Sequence, residues 1–287
     1  MKACLYYYTK MKENKKNTII LFKYGGNAMS NDALKEKVLK NICMLKDKGY
    51  HVVITHGGGP FIKQALEEAK IESEFIDGHR KTTAKAFEYV EMTLTGKVHS
   101  NLVSLINSLG YKAVGLSGQD GKIVTAKKRL HEREVEGKIE QVDLGQVGDV
   151  DSVDPALLEL LLQSGFIPVI SCTASDEKGA GYNINGDMFA GHIAGALKAE
   201  QYVVLTDVDG LMKDKDRPET LMHEIQLSDL EKLVEDGIIQ GGMIPKMESC
   251  EIAIQSGAKS ARIINGTTPE KIPQITEDRN IGTIITK

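Results

Sequence analysis

The stretch "VVITHGGGPFIKQALEE", residues 52–68, joins a β-branched run to a helical pattern through Gly57, Gly58 and Gly59. A strand that is apolar at nearly every position needs cover on both faces, as the strands of parallel sheets do. The same unit recurs along the chain. "NTIILFKYGG" ends in Gly25 and Gly26, and residues 33–48 follow with Leu34, Val38, Ile42 and Leu45 at helical spacing. "YKAVGLS", "FIPVISC", "QYVVLTDVDG", "SARIING" and "IGTIIT" read as further strands. Helical patterns lie between them at 60–70, 155–164, 187–197 and 247–256. A long helix is predicted over 81–109 with a break near Gly96, and short strands or a hairpin over 121–150.

This alternation predicts an α/β chain with an open, mostly parallel central sheet sandwiched by helices. Ligands of such sheets bind at the carboxyl ends of the strands. The Gly-rich "SDEKGAGYNING" is the best boundary between two lobes. The expected division is an arm at 1–17, an N-terminal lobe at 18–175 and a C-terminal lobe at 176–287.

The net charge of -4 gives no basic excess for nucleic acid or an anionic membrane surface. No apolar run approaches the length of a membrane span, and the first residues lack a signal-peptide pattern. Cys4, Cys43, Cys172 and Cys250 form no CxxC and no Cys/His grouping with zinc spacing, so no protein-held metal is predicted. Cys43 and Cys172 lie in apolar segments as buried thiols, which fits a reduced, cytoplasmic setting.

The informative residues fall at strand ends. Lys23 precedes Gly25 and Gly26, where backbone amides and a helix N-terminus favour an anion. His56–Pro60 repeats that placement. An esterase oxyanion loop would need a GxSxG elbow, which is missing. There is also no GxxxxGK[ST] and no intact GxGxxG opening a strand–helix unit. A phosphate cradle is the remaining functional reading, beside that of an ordinary tight turn. Asn183, Asn185 and Asp187 alternate along "YNINGD", and Asp187 is also placed to cap a helix. Leu205, Thr206, Asp207, Val208, Asp209 and Gly210 end a strand as a nucleotide site would. Gly241, Gly242 and Met243 lead to Lys246, repeating the logic of Lys23. Arg80 is a candidate carboxylate clamp. The histidines, His56 among them, read as structural or surface residues.

Taken in order, "KYGGNAM", "HGGGP", "GHR", "YNINGD", "LTDVDGL" and "GGMIPK" resemble the amino acid kinase family over about residues 18 to 287. The match is closest to members that phosphorylate the γ-carboxylate of N-acetyl-L-glutamate. The resemblance implies ATP as co-substrate, with Mg²⁺ carried on the nucleotide. It implies that Lys23 and Lys246 stabilise the transferring phosphoryl group and that Asp187 orients both lysines. Gly26, Gly58 and Gly59 would hold phosphate oxygens and substrate. Arg80, Asn183 and Asn185 would bind the acceptor, and 205–211 with 241–246 would contact ATP. A homodimer through N-terminal-lobe helices is implied, and an N-terminal arm with Tyr6, Tyr7 and Tyr8 allows a hexamer.

Two other readings stay open: a relative acting on an acetylated aminoadipate or carbamate-type acid, and a silent nucleotide-binding regulator. The chain departs from the family at His79, usually apolar, and at Gly186, usually Ala. Arginine-inhibited members carry a longer N-terminal helix and a C-terminal "H…TDEGIGT". Here Arg279 and Asn280 stand where an acid and a glycine belong, so weak or absent arginine inhibition is expected.

Overall fold

The structure, a computed structural model, describes residues 18–29, 31–76, 79–135 and 138–287. The expected arm at 1–17 and Gly78 of the "GHR" motif lie outside the described residues, as does the side chain of His79.

In chain order the strands are β1 (Ile19–Tyr24), β2 (His51–His56), β3 (Glu74–Ile76), β4 (His79–Lys81), β5 (Ala113–Ser117), β6 (Val124–Val135) and β7 (Lys138–Val153). They continue with β8 (Ile167–Ser171), β9 (Thr173–Ser175), β10 (Gly181–Ile184), β11 (Gln201–Thr206), β12 (Glu224–Gln226), β13 (Ala261–Asn265) and β14 (Thr283–Thr286). The α-helices are α1 (Asp32–Asp47), α2 (Gly59–Glu68), α3 (Ala84–Glu91), α4 (His99–Ser108), α5 (Ala156–Gln163), α6 (Gly186–Ala196), α7 (Leu230–Glu235) and α8 (Ile244–Gln255).

Eight strands form one sheet in the order β12-β14-β13-β11-β1-β2-β8-β5. Every pairing in it is parallel except β13 with β14. The apolar runs explain the arrangement. Side chains alternate across a strand, so Ile20 and Phe22 of β1 pack with α1 and α4 on one face, while Leu21 joins α6 and α8 on the other. Each such fully buried side chain contributes roughly 1.5–3 kcal/mol. The predicted open, mostly parallel, helix-covered sheet is what the chain forms.

Beside the sheet, β6 and β7 make the hairpin expected in 121–150, and it closes with β9 and β10 into a small barrel. The predicted break near Gly96 takes the form of a change in helical geometry rather than a gap. The chain passes from α3 to α4 through a π-helical stretch, Met92–Val98, in which Thr95 Oγ1 donates to Glu91 O at 2.6 Å.

β1 has β2 on one side and β11 on the other, with the chain winding outward in both directions. That reversal leaves a crevice at the carboxyl ends of β1 and β11, where Lys23 and Thr206 lie.

Candidate active site

Lys23 leaves β1 toward this crevice, and its Nζ lies 2.9 Å from Asp187 Oδ1, each side chain 12% exposed. Asp187 is free for this contact because Asn185 caps α6 instead. Asn185 Oδ1 accepts from the amides of Asp187 at 2.9 Å and Met188 at 3.3 Å. The alternation of Asn183, Asn185 and Asp187 therefore stops at the strand end: Asn183 is on β10, Asn185 is the cap, and Asp187 is in the first helical turn. Gly25 leaves space for the ammonium, since a Cβ there would stand 3.3 Å from Lys23 Nζ.

A cleft of about 190 Å³ opens in front, lined by Lys23, Gly25, Gly26, Leu205, Thr206, Asp207 and Lys246. The sequence places these residues in separate motifs, and the fold brings them together. Lys246 stands in the first turn of α8, and its Nζ donates to Gly242 O at 2.8 Å. Asp187 thus pairs with Lys23, while Lys246 shares the cleft without an ion pair to Asp187. Gly241 has φ 53°, which a side chain would resist, and a Cβ on Gly242 would meet nothing.

The two helices that carry Asp187 and Lys246 are tied from below. Tyr202 of β11, fully buried, has its hydroxyl 3.1 Å from Ser249 Oγ and 3.4 Å from Asp187 O. Ser249 in turn donates to Lys246 O at 2.7 Å. Gly191 admits this approach, because a Cβ there would lie 2.5 Å from Ser249 O.

After β2, the amides of Gly57 and Gly58 find no carbonyl acceptor among the described residues. They sit at the N-terminus of α2, whose dipole favours an anion. A Cβ on Gly59 would meet nothing, but one on Gly58 would stand 2.7 Å from Leu94 Cδ2 and 3.4 Å from Val98 Cγ2. The π-helical stretch puts both side chains under the turn. Gly58→Val therefore damages packing as well as the cradle.

Residues 18–265 match the amino acid kinase family. The chain belongs to the amino acid kinase family. It is 45% identical over 271 residues to the acetylglutamate kinase of Methanocaldococcus jannaschii, an alignment covering 94% of this chain and 90% of that one. It is 44% identical over 270 residues to the acetylglutamate kinase of Heliobacterium modesticaldum, covering 93% and 92%. Among solved structures it resembles the smu.665 protein of Streptococcus mutans, with a TM-score of 0.75, 26% identity and coverage of 94% and 99%.

The remaining sequence candidates of this amino acid kinase family member lie around the cleft rather than in it. Arg80 on β4 donates to Ser73 Oγ, with its guanidinium 4.6 Å from the centre of the Phe75 ring. The β3–β4 hairpin is fastened at Thr82, whose amide donates to Leu144 O at 2.8 Å and whose carbonyl accepts from Gln146 at 2.7 Å. Asn183 is half-buried between β7 and β9. Val208 is exposed. Asp209 Oδ1 accepts from Asn265 Nδ2 at 3.0 Å, and both line a neighbouring cavity of about 220 Å³ with Lys271 and Asn280. Gly210 has φ 149°, and a Cβ there would lie 2.5 Å from Thr283 Oγ1, so packing against β14 already requires a glycine. A methyl on Gly186 would rest 3.7 Å from Gly57 Cα, an ordinary contact, so the usual Ala fits the same backbone.

Sequence reading passed over Tyr202, Ser249 and Asn265. Asn265 carried a signal, a polar residue at a strand's carboxyl end before Gly266. Tyr202 and Ser249 carried none, because a strand tyrosine and a helix serine read as ordinary packing. Among the described residues no group of three or more His, Cys, Asp or Glu is placed to hold a metal ion. No helix among them is long and apolar enough to cross a membrane.

Proposed function

We infer that this kinase transfers the γ-phosphoryl group of ATP to the γ-carboxylate of N-acetyl-L-glutamate, giving N-acetyl-L-glutamyl 5-phosphate in the second step of arginine biosynthesis. One observation carries the reading: a Lys23–Asp187 pair at 2.9 Å opens on a cleft shared with Lys246 and bounded by glycine turns. The likeness to acetylglutamate kinases at 44–45% identity supports the acceptor.

A carboxylate is already ionised at neutral pH, so the acceptor needs no general base. Its oxygen attacks the γ-phosphorus in line, the bond to the bridging oxygen breaks, and ADP leaves. The work left to the protein is positioning and neutralising charge on the phosphoryl oxygens. Lys23 and Lys246 supply charge, Asp187 fixes Lys23, and the amides of Gly26, Gly58 and Gly59 supply donors. Mg²⁺ arrives on the nucleotide phosphates, in keeping with its preference for phosphate and water ligands. In this reading Arg80, Asn183 and Asn185 serve the acceptor. Residues 205–210 and 241–243 take the nucleotide. In this reading 18–175 hold the acceptor and contribute the homodimer contact, and 176–287 hold ATP. Buried free thiols at Cys43, Cys172 and Cys250 suit a cytoplasmic enzyme.

The test is hydroxamate formation from ATP and a panel of N-acylated acids. Acetylglutamate is the expected acceptor. Turnover of acetylaminoadipate without acetylglutamate would overturn the assignment, and no turnover with any acid would favour a silent regulator.

A further inference from the structure

The turn after β2 contains a histidine that the chemistry above leaves unused. His56 ends β2 and is 1% exposed. Its Nδ1 lies 2.9 Å from Gly57 O. A carbonyl oxygen only accepts, so Nδ1 carries the proton, and in a neutral ring Nε2 is then bare. Nε2 is buried and has no hydrogen-bond partner among the described residues. Burial, aided by neighbouring His99, pushes the imidazole down to about 4 and outweighs the bond to Gly57. The ring therefore stays neutral at the pH where a kinase works. His99 stands edge-on to it, with ring centroids 6.1 Å apart and planes at 85°.

Gly57 also lies near the start of the helix that carries Asp187: its Cα and N are 3.7 and 3.8 Å from where a Cβ on Gly186 would stand. The Gly57–Gly58 peptide therefore borders both the buried imidazole and α6. In a trans peptide the carbonyl and the following N–H point in opposite directions. With the Gly57 carbonyl drawn to the ring, the Gly58 N–H points away from the ring, and it finds no carbonyl among the described residues.

We propose that His56 is a positioning residue for phosphoryl transfer, its Nδ1–H holding the Gly57 carbonyl so that the Gly58 amide is fixed toward the reacting groups. The inference rests on the kinase reading above and adds a residue to it. A flipped peptide would present a carbonyl oxygen to an anion in place of an N–H, replacing attraction with repulsion. A misplaced donor of this kind costs on the order of 100-fold in kcat.

The decisive pair of variants is His56→Asn and His56→Gln. The asparagine Nδ2 sits where Nδ1 was and can still donate to Gly57 O. The glutamine Nε2 sits where the bare nitrogen was and cannot. Asparagine is one methylene smaller than glutamine and leaves the larger hole, so a purely structural role predicts the greater loss for His56→Asn. The expected result is the reverse order in activity: a fall of about 100-fold in kcat for His56→Gln, much of it recovered in His56→Asn, with KM for ATP little changed and the lower melting temperature in His56→Asn. Equal kcat in the two variants, or full activity in His56→Gln, would overturn the proposal. Long-range ¹H–¹⁵N spectra of the assigned wild-type ring decide the matter even if a variant fails to fold: a protonated Nδ1 supports it, and a protonated Nε2 sinks it. Wild-type enzyme with no acceptor among the N-acylated acids would instead count against the function proposed above, leaving the tautomer result standing.

Discussion

A Cβ on Gly57 or Gly59, in the turn after β2, would meet nothing within 4 Å. In α6, one on Gly191 would lie 2.5 Å from Ser249 O and one on Gly195 2.3 Å from Ser256 Cβ. Both regions are glycine-rich, for opposite reasons. The turn leaves room and bare amides for something outside the chain. The helix leaves room for another helix, and through it brings the first turns of α6 and α8, with Asp187 and Lys246, onto one side of Tyr202. A glycine at a site and a glycine in a contact look the same in sequence, and only the surroundings of the missing side chain separate them.

The contrast can be broken experimentally. The largest effect is expected for Lys246→Ala, which faces the open side. Its kcat should fall about 1000-fold with KM for acetylglutamate little changed, because the contact tightens in the transition state. Steady-state kinetics check this, and a change confined to KM would contradict it.

Acid unfolding reports on what stands behind the turn. His56 titrates at 6.5 when unfolded and at about 4 when folded. Between those values the unfolded chain binds the extra proton. The stabilising contribution is therefore intact above pH 6.5 and is lost as pH falls toward 4, by at most about 3 kcal/mol. His51, His99 and His192 are shifted the same way by burial and add to the slope. Urea unfolding at pH 7 and pH 5 measures it, and His56→Asn should flatten the difference.

Gly57→Val should cost about 100-fold in kcat with no change in melting temperature, since its side chain enters ligand space. Gly191→Ala should do the reverse, lowering stability by about 2 kcal/mol through overpacking, with a smaller loss of activity per folded molecule. Thermal melts alongside kinetics settle the pair; matching behaviour of the two variants would dissolve the distinction. The smallest effect is expected from arginine. Arg279 is held by Glu224 at 2.9 Å, and its charge repels a guanidinium, so sub-millimolar arginine should leave turnover unchanged. Half-inhibition in that range would refute this.

Much of the fold could be read early. The continuous apolar runs of β1, β2, β8 and β11 called for a sheet covered on both faces, and glycine turns marked their carboxyl ends. Lys23, Asp187 and Lys246 were legible because strand-end and helix-start positions are where such sheets do chemistry. The π-helical stretch at Met92–Val98 was not legible, since a glycine in a helical pattern reads as a weak point until Leu94 and Val98 are seen packing under Gly58. Asn185 looked like a ligand residue and Asp187 like a cap. The fold assigns the cap to Asn185 because its oxygen reaches two orphan amides, and that frees Asp187 for Lys23.

Hydrophobic periodicity and glycine placement are local properties of the chain, and they suffice to mark the long apolar strands, the need for helices on both faces and the residue types at strand ends. Which of those residues meet is a property of the packed molecule. The Lys23–Asp187 pair, the Tyr202–Ser249 tie and the hold of His56 on Gly57 each depend on a distance or a direction of a few ångströms. Such geometry is set by how sheet and helices pack, and no spacing along the chain records it.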